Sequence, residues 1–271
     1  MAGPKCAALS RLRRGEVCLG VSFSLLRGPP AAQLAKAAGF HWLALDAEHG
    51  CFSLPEISDL CLAAAGCGIS GIVRITRGDL GFAARALDVG ADGIIAPMVE
   101  DADEAQALVQ ALRYPPQGAR GYGGSGARFG FMPPAAHEAM ALLNRETMLV
   151  ALVESAKGIE NVGRICAVEG VDAVFVGASD LCISLGIPGQ FESAAFISAF
   201  EMVRDACAEH GKFLGLGGVY DDAMTRNCVV KGARLVAAGS EQSFFLTSAR
   251  KRVEILNESV RDGLKTPLCP S

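Results

Sequence analysis

Eight short apolar runs, each followed by an amphipathic stretch, recur along the 271 residues of this chain and leave it few folds to choose from. Apolar runs of about four to eight residues bounded by turn signals read as buried strands, and their alternation with helical stretches reads as βα units. The runs fall at residues 17–25, 42–46, 70–76, 93–99, 148–154, 172–177, 213–217 and 234–239. Several helical stretches end on a glycine, at Gly39, Gly68, Gly90 and Gly211, as expected where a left-handed residue closes a helix. Asp79, Asp101 and the pair Asp221 and Asp222 stand where N-caps belong. Eight units in a chain of this length match one (β/α)8 TIM barrel, typically about 250 residues, and imply one domain over residues 1–271. A doubly wound open sheet is the alternative, but no Gly-x-Gly-x-x-Gly follows the first run to support a dinucleotide fold.

Composition excludes several classes of function. Hydrophobic residues make up 51% of the chain, aromatics are scarce, and alanine and glycine are abundant, as close helix-on-strand packing prefers. A chain of this size can bury about three quarters of its unfolded surface, so it needs no disulfide staples. Ten cysteines are present, yet none shows Cys-x-x-Cys spacing, and Cys61, Cys67, Cys166, Cys207 and Cys228 lie among alanines and valines on helical stretches. They read as reduced core thiols of a cytoplasmic protein. No apolar stretch precedes Gly15 beside the basic N-terminal residues to form a signal peptide, and none in the chain approaches the roughly 20 residues of a membrane span. A net charge of -4 gives no reason to invoke nucleic acid.

The chemistry sits at the ends of the runs. Glu154 closes the fifth run and Asp180 follows the sixth, so in a parallel barrel both acids emerge at the C-terminal edge of neighbouring strands, where a hard divalent metal could be held. A buried ion pair with Arg74 is the plainer alternative. Asp46 closes the second run, Glu48 and His49 follow it, and Arg74 ends the apolar part of the third. The histidine could form an acid/base pair with a carboxylate or be an ordinary loop histidine. An arginine inside a strand must meet either an anion or a rim carboxylate. Residues 115–134 break the alternation with six glycines and with Arg120 and Arg128. Such a loop is either a surface excursion or, if it lies on the active face, a lid or anion-binding loop.

Taken together, LDAEHG, the following Val-Arg, ALDVGADGIIAPMVEDADEA, RYPPQGARG, the glutamate of VES and FVGASDLCISLG resemble the class II pyruvate aldolases of the HpcH/HpaI family. That family includes 4-hydroxy-2-oxoheptanedioate aldolase and 2-dehydro-3-deoxyglucarate aldolase. The likeness runs from about Leu19 to Phe244. It implies a (β/α)8 barrel assembled as trimers paired into a hexamer, with the last helix exchanged between subunits. It also implies reversible cleavage of a 4-hydroxy-2-oxo acid to pyruvate and an aldehyde through a metal-bound pyruvate enolate. By the same resemblance Glu154 and Asp180 hold Mg²⁺, Mn²⁺ or Co²⁺, and Arg74 stands beside the keto oxygen. His49, oriented by Asp46, moves the proton of the 4-hydroxyl. Asp88 reaches a neighbouring subunit's site. Gly177, Ser179 and Asp180 receive the pyruvate carboxylate. Separately, the positive charge of the glycine-rich loop makes Arg128 a candidate substrate contact.

Two positions depart from the family pattern. Leu152 stands where a glutamine is usual, and Gly177-Ala178-Ser179-Asp180-Leu181 replaces Gly-Pro-x-Asp-Leu. A lyase acting on a coenzyme A thioester is a second expectation, weakened by the lack of an extended basic surface for the nucleotide. A catalytically silent barrel that binds 2-oxo acids is a third. A Schiff-base mechanism is disfavoured, because Lys36, Lys157 and Lys231 fall on helical stretches and Lys212 precedes the seventh run.

Overall fold

The computed structural model describes residues 3–124 and 126–265. Its elements in chain order are α1 (Ala7–Arg13), β1 (Cys18–Phe23), α2 (Pro29–Ala37), β2 (Trp42–Asp46), α3 (Leu54–Gly66), β3 (Ser70–Arg74), α4 (Leu80–Asp88) and β4 (Gly93–Ala96). There follow α5 (Ala102–Leu112), α6 (Ala136–Glu146), β5 (Met148–Val153), α7 (Ala156–Glu160), α8 (Val162–Ala167), β6 (Ala173–Gly177), α9 (Ala178–Ser184), α10 (Ala194–Glu209), β7 (Phe213–Gly217), α11 (Asp222–Val230), β8 (Leu235–Ser240) and α12 (Glu241–Lys265). The eight strands form a closed barrel in sequence order, each parallel to its neighbours.

Because side chains alternate along a strand, each strand feeds two cores. On β5, Leu149, Ala151 and Val153 join the outer core beneath the helices, whereas Met148, Val150 and Leu152 join the inner cluster inside the barrel. Glu154 is next in the inward series. The helix α1 closes the N-terminal end: Ala8, Leu9 and Leu12 are buried in the inner cluster with Cys18, Trp42 and Met148, and the Ala8 amide donates to Ser70 Oγ at 3.1 Å. Inward glycines make room for two large rings, since a Cβ on Gly20 would strike Trp42 and one on Gly215 or Gly217 would strike Phe175.

Helix punctuation follows the sequence. The carboxylates of Asp79, Asp101 and Asp221 accept from the amides of Phe82, Glu104 and Met224 at 2.9, 3.0 and 2.8 Å. Gly39, Gly68, Gly90 and Gly211 all have positive φ. The nine described cysteines are free, seven of them buried.

The glycine-rich segment lies elsewhere than expected. It follows α5 rather than β4, so it runs along the N-terminal end of the barrel, opposite the catalytic face of such folds. Arg128 shows the consequence: it pairs with Asp92, the residue just before β4, at 3.1 Å and donates to Glu146 O and Thr147 Oγ1 just before β5. The expectation of an active-face loop with Arg128 as a substrate contact is therefore corrected.

Candidate active site

Strand periodicity builds the mouth of the barrel. In β2 the inward positions are Trp42, Ala44 and Asp46; in β3 they end on Arg74; beyond β5 they continue to Glu154. The register pairs Asp46 with Arg74 directly across β2 and β3. Arg74 Nε and Nη2 donate to the two Asp46 oxygens at 3.0 and 2.6 Å, a bidentate pair, while Nη1 lies 3.7 Å from Glu48. Burial by itself would raise Asp46, but Arg74 and the backbone amides of His49 and Glu48 outweigh it and hold the carboxyl below its usual value. Glu48 goes the other way, raised chiefly by burial.

This pairing revises the expected dyad. Asp46 does hold His49, yet it does so through the backbone, Oδ1 accepting the amides of Glu48 and His49 at 3.1 Å each. Both oxygens bind Arg74, and the imidazole itself makes no hydrogen bond to Asp46. The ring is 70% exposed, and the carboxylate beside it is Glu48, with Oε2 3.8 Å from Nε2. His49 is thus an exposed ring on a turn that Asp46 holds at the rim.

Glu154 and Asp180 share the other side of the cavity. Glu154 is 5% exposed and its Oε1 accepts the Met98 amide at 2.9 Å. Met98 has φ 52, a conformation that costs a non-glycine residue energy and that clusters at functional sites. Burial pushes the Glu154 carboxyl from the ordinary 4.5 up to about 7, and the charges of Asp180 and Glu48 push the same way against Met98 and Arg74. Gly177 makes this approach possible, because a Cβ there would strike Glu154 Oε2. Opposite, a Cβ on Gly218 would come within 3.1 Å of the Ser179 amide, so glycine keeps that N–H open to the cavity.

The cavity these groups surround is about 260 Å³. Three carboxylates line it (Asp46, Glu154 and Asp180) against one guanidinium, Arg74, already engaged by Asp46. An oxygen-rich site with unneutralised negative charge suits a hard divalent cation. Among the described residues no three His, Cys, Asp or Glu side chains converge on one point, so the protein offers two carboxylates and leaves the remaining positions to water and substrate, as Mg²⁺ commonly accepts. No lysine lines the cavity. Sequence reasoning missed the apolar floor of Trp42, Ile95, Leu152 and Phe175, and missed Tyr220, 60% exposed at the mouth. Only the strand period could have separated those inward residues from outward ones.

Asp88 stays outside this mouth. It ends α4, is about half exposed, and is held by Arg120 Nη2 at 2.6 Å near the opposite end of the barrel.

A closed parallel barrel here carries paired carboxylates, an arginine and a rim histidine at its C-terminal mouth, and proteins similar to it are named aldolases, carbon–carbon lyases. Residues 21–248 match the HpcH/HpaI aldolase/citrate lyase family, and the chain belongs to it. It is 36% identical over 216 residues to a 4-hydroxy-4-methyl-2-oxoglutarate aldolase of Chaetomium globosum, covering 79% of this chain and 80% of the relative. It is also 36% identical over 245 residues to a hydroxypyruvate/pyruvate aldolase of Pseudomonas aeruginosa, covering 89% of each. Among solved structures, an HpcH/HpaI aldolase from Desulfitobacterium hafniense superimposes with a TM-score of 0.88 at 32% identity, over 92% of this chain and 96% of that one.

Proposed function

We propose that the protein catalyses reversible cleavage of a 4-hydroxy-2-oxo acid to pyruvate and an aldehyde. The observation that carries this is the uncompensated carboxylate pair, Glu154 and Asp180, set beside Arg74 over an apolar floor. The two acids would hold a divalent cation, Mg²⁺, Mn²⁺ or Co²⁺, which when bound polarises the 2-oxo group as a Lewis acid. Arg74 Nη1, not hydrogen-bonded to Asp46, adds a second positive charge where the keto oxygen becomes anionic. The backbone around Gly177, Ser179 and Asp180 receives the carboxylate. His49 takes the 4-hydroxyl proton through water as the C3–C4 electron pair moves toward C2 and the aldehyde departs. The pyruvate enolate left behind is then protonated at C3.

An oligomer completes this reading. The helix α12 carries Phe245, Val253 and Val260, 71, 56 and 58% exposed, a surface that suits burial against a second copy in a trimer or hexamer. Asp88, fixed by Arg120, would then face a neighbouring mouth. Free cysteines throughout the described residues fit a reducing cytoplasm; no described helix is long and apolar enough to cross a membrane.

The test is proton exchange at the pyruvate methyl group in D2O, followed by NMR with Mg²⁺ and with EDTA, together with a panel of aldehydes offered with pyruvate. Metal-dependent exchange and a new 4-hydroxy-2-oxo acid are expected. Absence of both would return the chain to a silent 2-oxo-acid binder.

A further inference from the structure

Below the charged rim, one wall of the cavity, made by Leu152, Phe175, Trp42 and Ile95, has no free hydrogen-bonding group; Ser22 on β1 also lines the cavity. The register sets Leu152 beside Phe175, and Phe175 meets Trp42 edge-on at 6.4 Å. Trp42 spends its one polar group on Cys18 O at 3.1 Å, and Ile95 completes the surface. Leu152 borders the carboxylates. A Cβ placed on Gly177 would lie 3.0 Å from Leu152 Cδ1 and would also strike Glu154 Oε2, so the leucine methyl and the glutamate oxygen border the same point.

We propose that Leu152 determines which substituent the donor acid carries at C3, selecting a hydrogen or an alkyl group and rejecting a hydroxyl. The proposal rests on the aldolase reading above. In that reading the keto oxygen lies at Glu154, Asp180 and Arg74, and the C3–C4 bond points to the mouth, where the aldehyde leaves past His49 and Tyr220, 70 and 60% exposed. A second substituent on C3 remains with the donor and meets the inner wall. A methyl group there removes apolar surface from water. A hydroxyl there finds no partner on Leu152, Phe175, Trp42 or Ile95 and loses its bonds to water without replacement. The class of donor is therefore the unbranched 2-oxo acids with a hydrogen or alkyl group at C3, pyruvate and 2-oxobutanoate, in preference to 3-hydroxypyruvate.

Exchange at C3 tests this without knowledge of the aldehyde: the C3–H bond breaks, its electron pair enters the enolate, the proton passes to solvent, and a deuteron returns. Rates are measured by NMR in D2O with Mg²⁺ for pyruvate, 2-oxobutanoate and 3-hydroxypyruvate, each divided by its rate in buffer with Mg²⁺ alone. Wild type is expected to favour 2-oxobutanoate over 3-hydroxypyruvate by about 10-fold or more, the usual range for one group in an apolar pocket. Leu152→Gln, which puts an amide on that wall, should lower the ratio by about 10-fold, whereas Leu152→Met should keep it within about threefold. The inference is overturned if pyruvate exchanges normally but the ratio does not respond to Leu152→Gln, or if wild type itself favours 3-hydroxypyruvate. No exchange with any donor in wild type would instead overturn the aldolase reading.

Discussion

The two ends of the barrel both bury arginines against carboxylates, and they do so to opposite effect. At the N-terminal end Arg113, 2% exposed, donates to Gly170 O and Thr147 O and to Asp172 Oδ2 at 2.6 Å, while Asp172 also accepts the Leu149 amide at 2.7 Å. Arg128 and Asp92 form a second closed pair nearby. Each guanidinium there meets one acid, and backbone groups take up the remaining donors. At the C-terminal end one guanidinium faces three cavity carboxylates, and Asp46 has engaged it. Balanced charge gives structure. The excess of acid at the other end gives a place for a cation and an anionic substrate.

The contrast predicts separable losses. Asp180→Asn or Glu154→Gln should lower kcat/KM for cleavage by about a thousandfold or more, without loss of thermal stability; a large loss of stability would mean these acids serve the fold. Arg113→Ala should do the reverse, costing about 3–5 kcal/mol in denaturant unfolding because it removes a buried guanidinium that pairs with the half-buried Asp172 and satisfies the Gly170 and Thr147 carbonyls. Smaller again is His49→Ala: cleavage should fall about 100-fold while exchange at the pyruvate methyl stays within about threefold, and equal loss of both would remove the histidine from the 4-hydroxyl.

The weakest effect is in pH. In the folded chain Glu154 keeps its proton up to about 7, against 4.5 as its ordinary value. Between those values the folded state binds more protons than the unfolded one, so its stability falls as pH rises through that window. Metal-free protein should lose a few degrees of Tm between pH 5 and 7, an effect that Glu154→Gln flattens.

Much of this was legible in the residues. Runs 42–46 and 213–217 coincide with β2 and β7, and the order of strands brought Asp46, Arg74, Glu154 and Asp180 to one mouth. The fourth run read to residue 99, but β4 stops at Ala96, where Pro97 and the left-handed Met98 turn the chain so that an amide reaches Glu154. Arg128 was misplaced because α5 intervenes between β4 and the glycine-rich segment and carries it to the other end; its partner Asp92, far off in sequence, leaves no local trace. Spacing places His49 near Asp46 but does not show that the contact runs through the His49 amide while Arg74 binds the carboxylate side-on. In the same way Leu152 and Leu149 look alike as letters, and only the two-residue strand period sends one into the cavity and the other under the helices.

The C-terminal mouth, and not the charge pairs at the other end, is expected to bind a divalent cation through Glu154 and Asp180. Titration with Mn²⁺, read by the loss of its free EPR signal, tests it directly in wild type, Glu154→Gln and Arg128→Ala proteins. One ion per chain in wild type and in folded Arg128→Ala, with binding lost in Glu154→Gln, is the expected result. Unchanged Mn²⁺ binding in Glu154→Gln would contradict it.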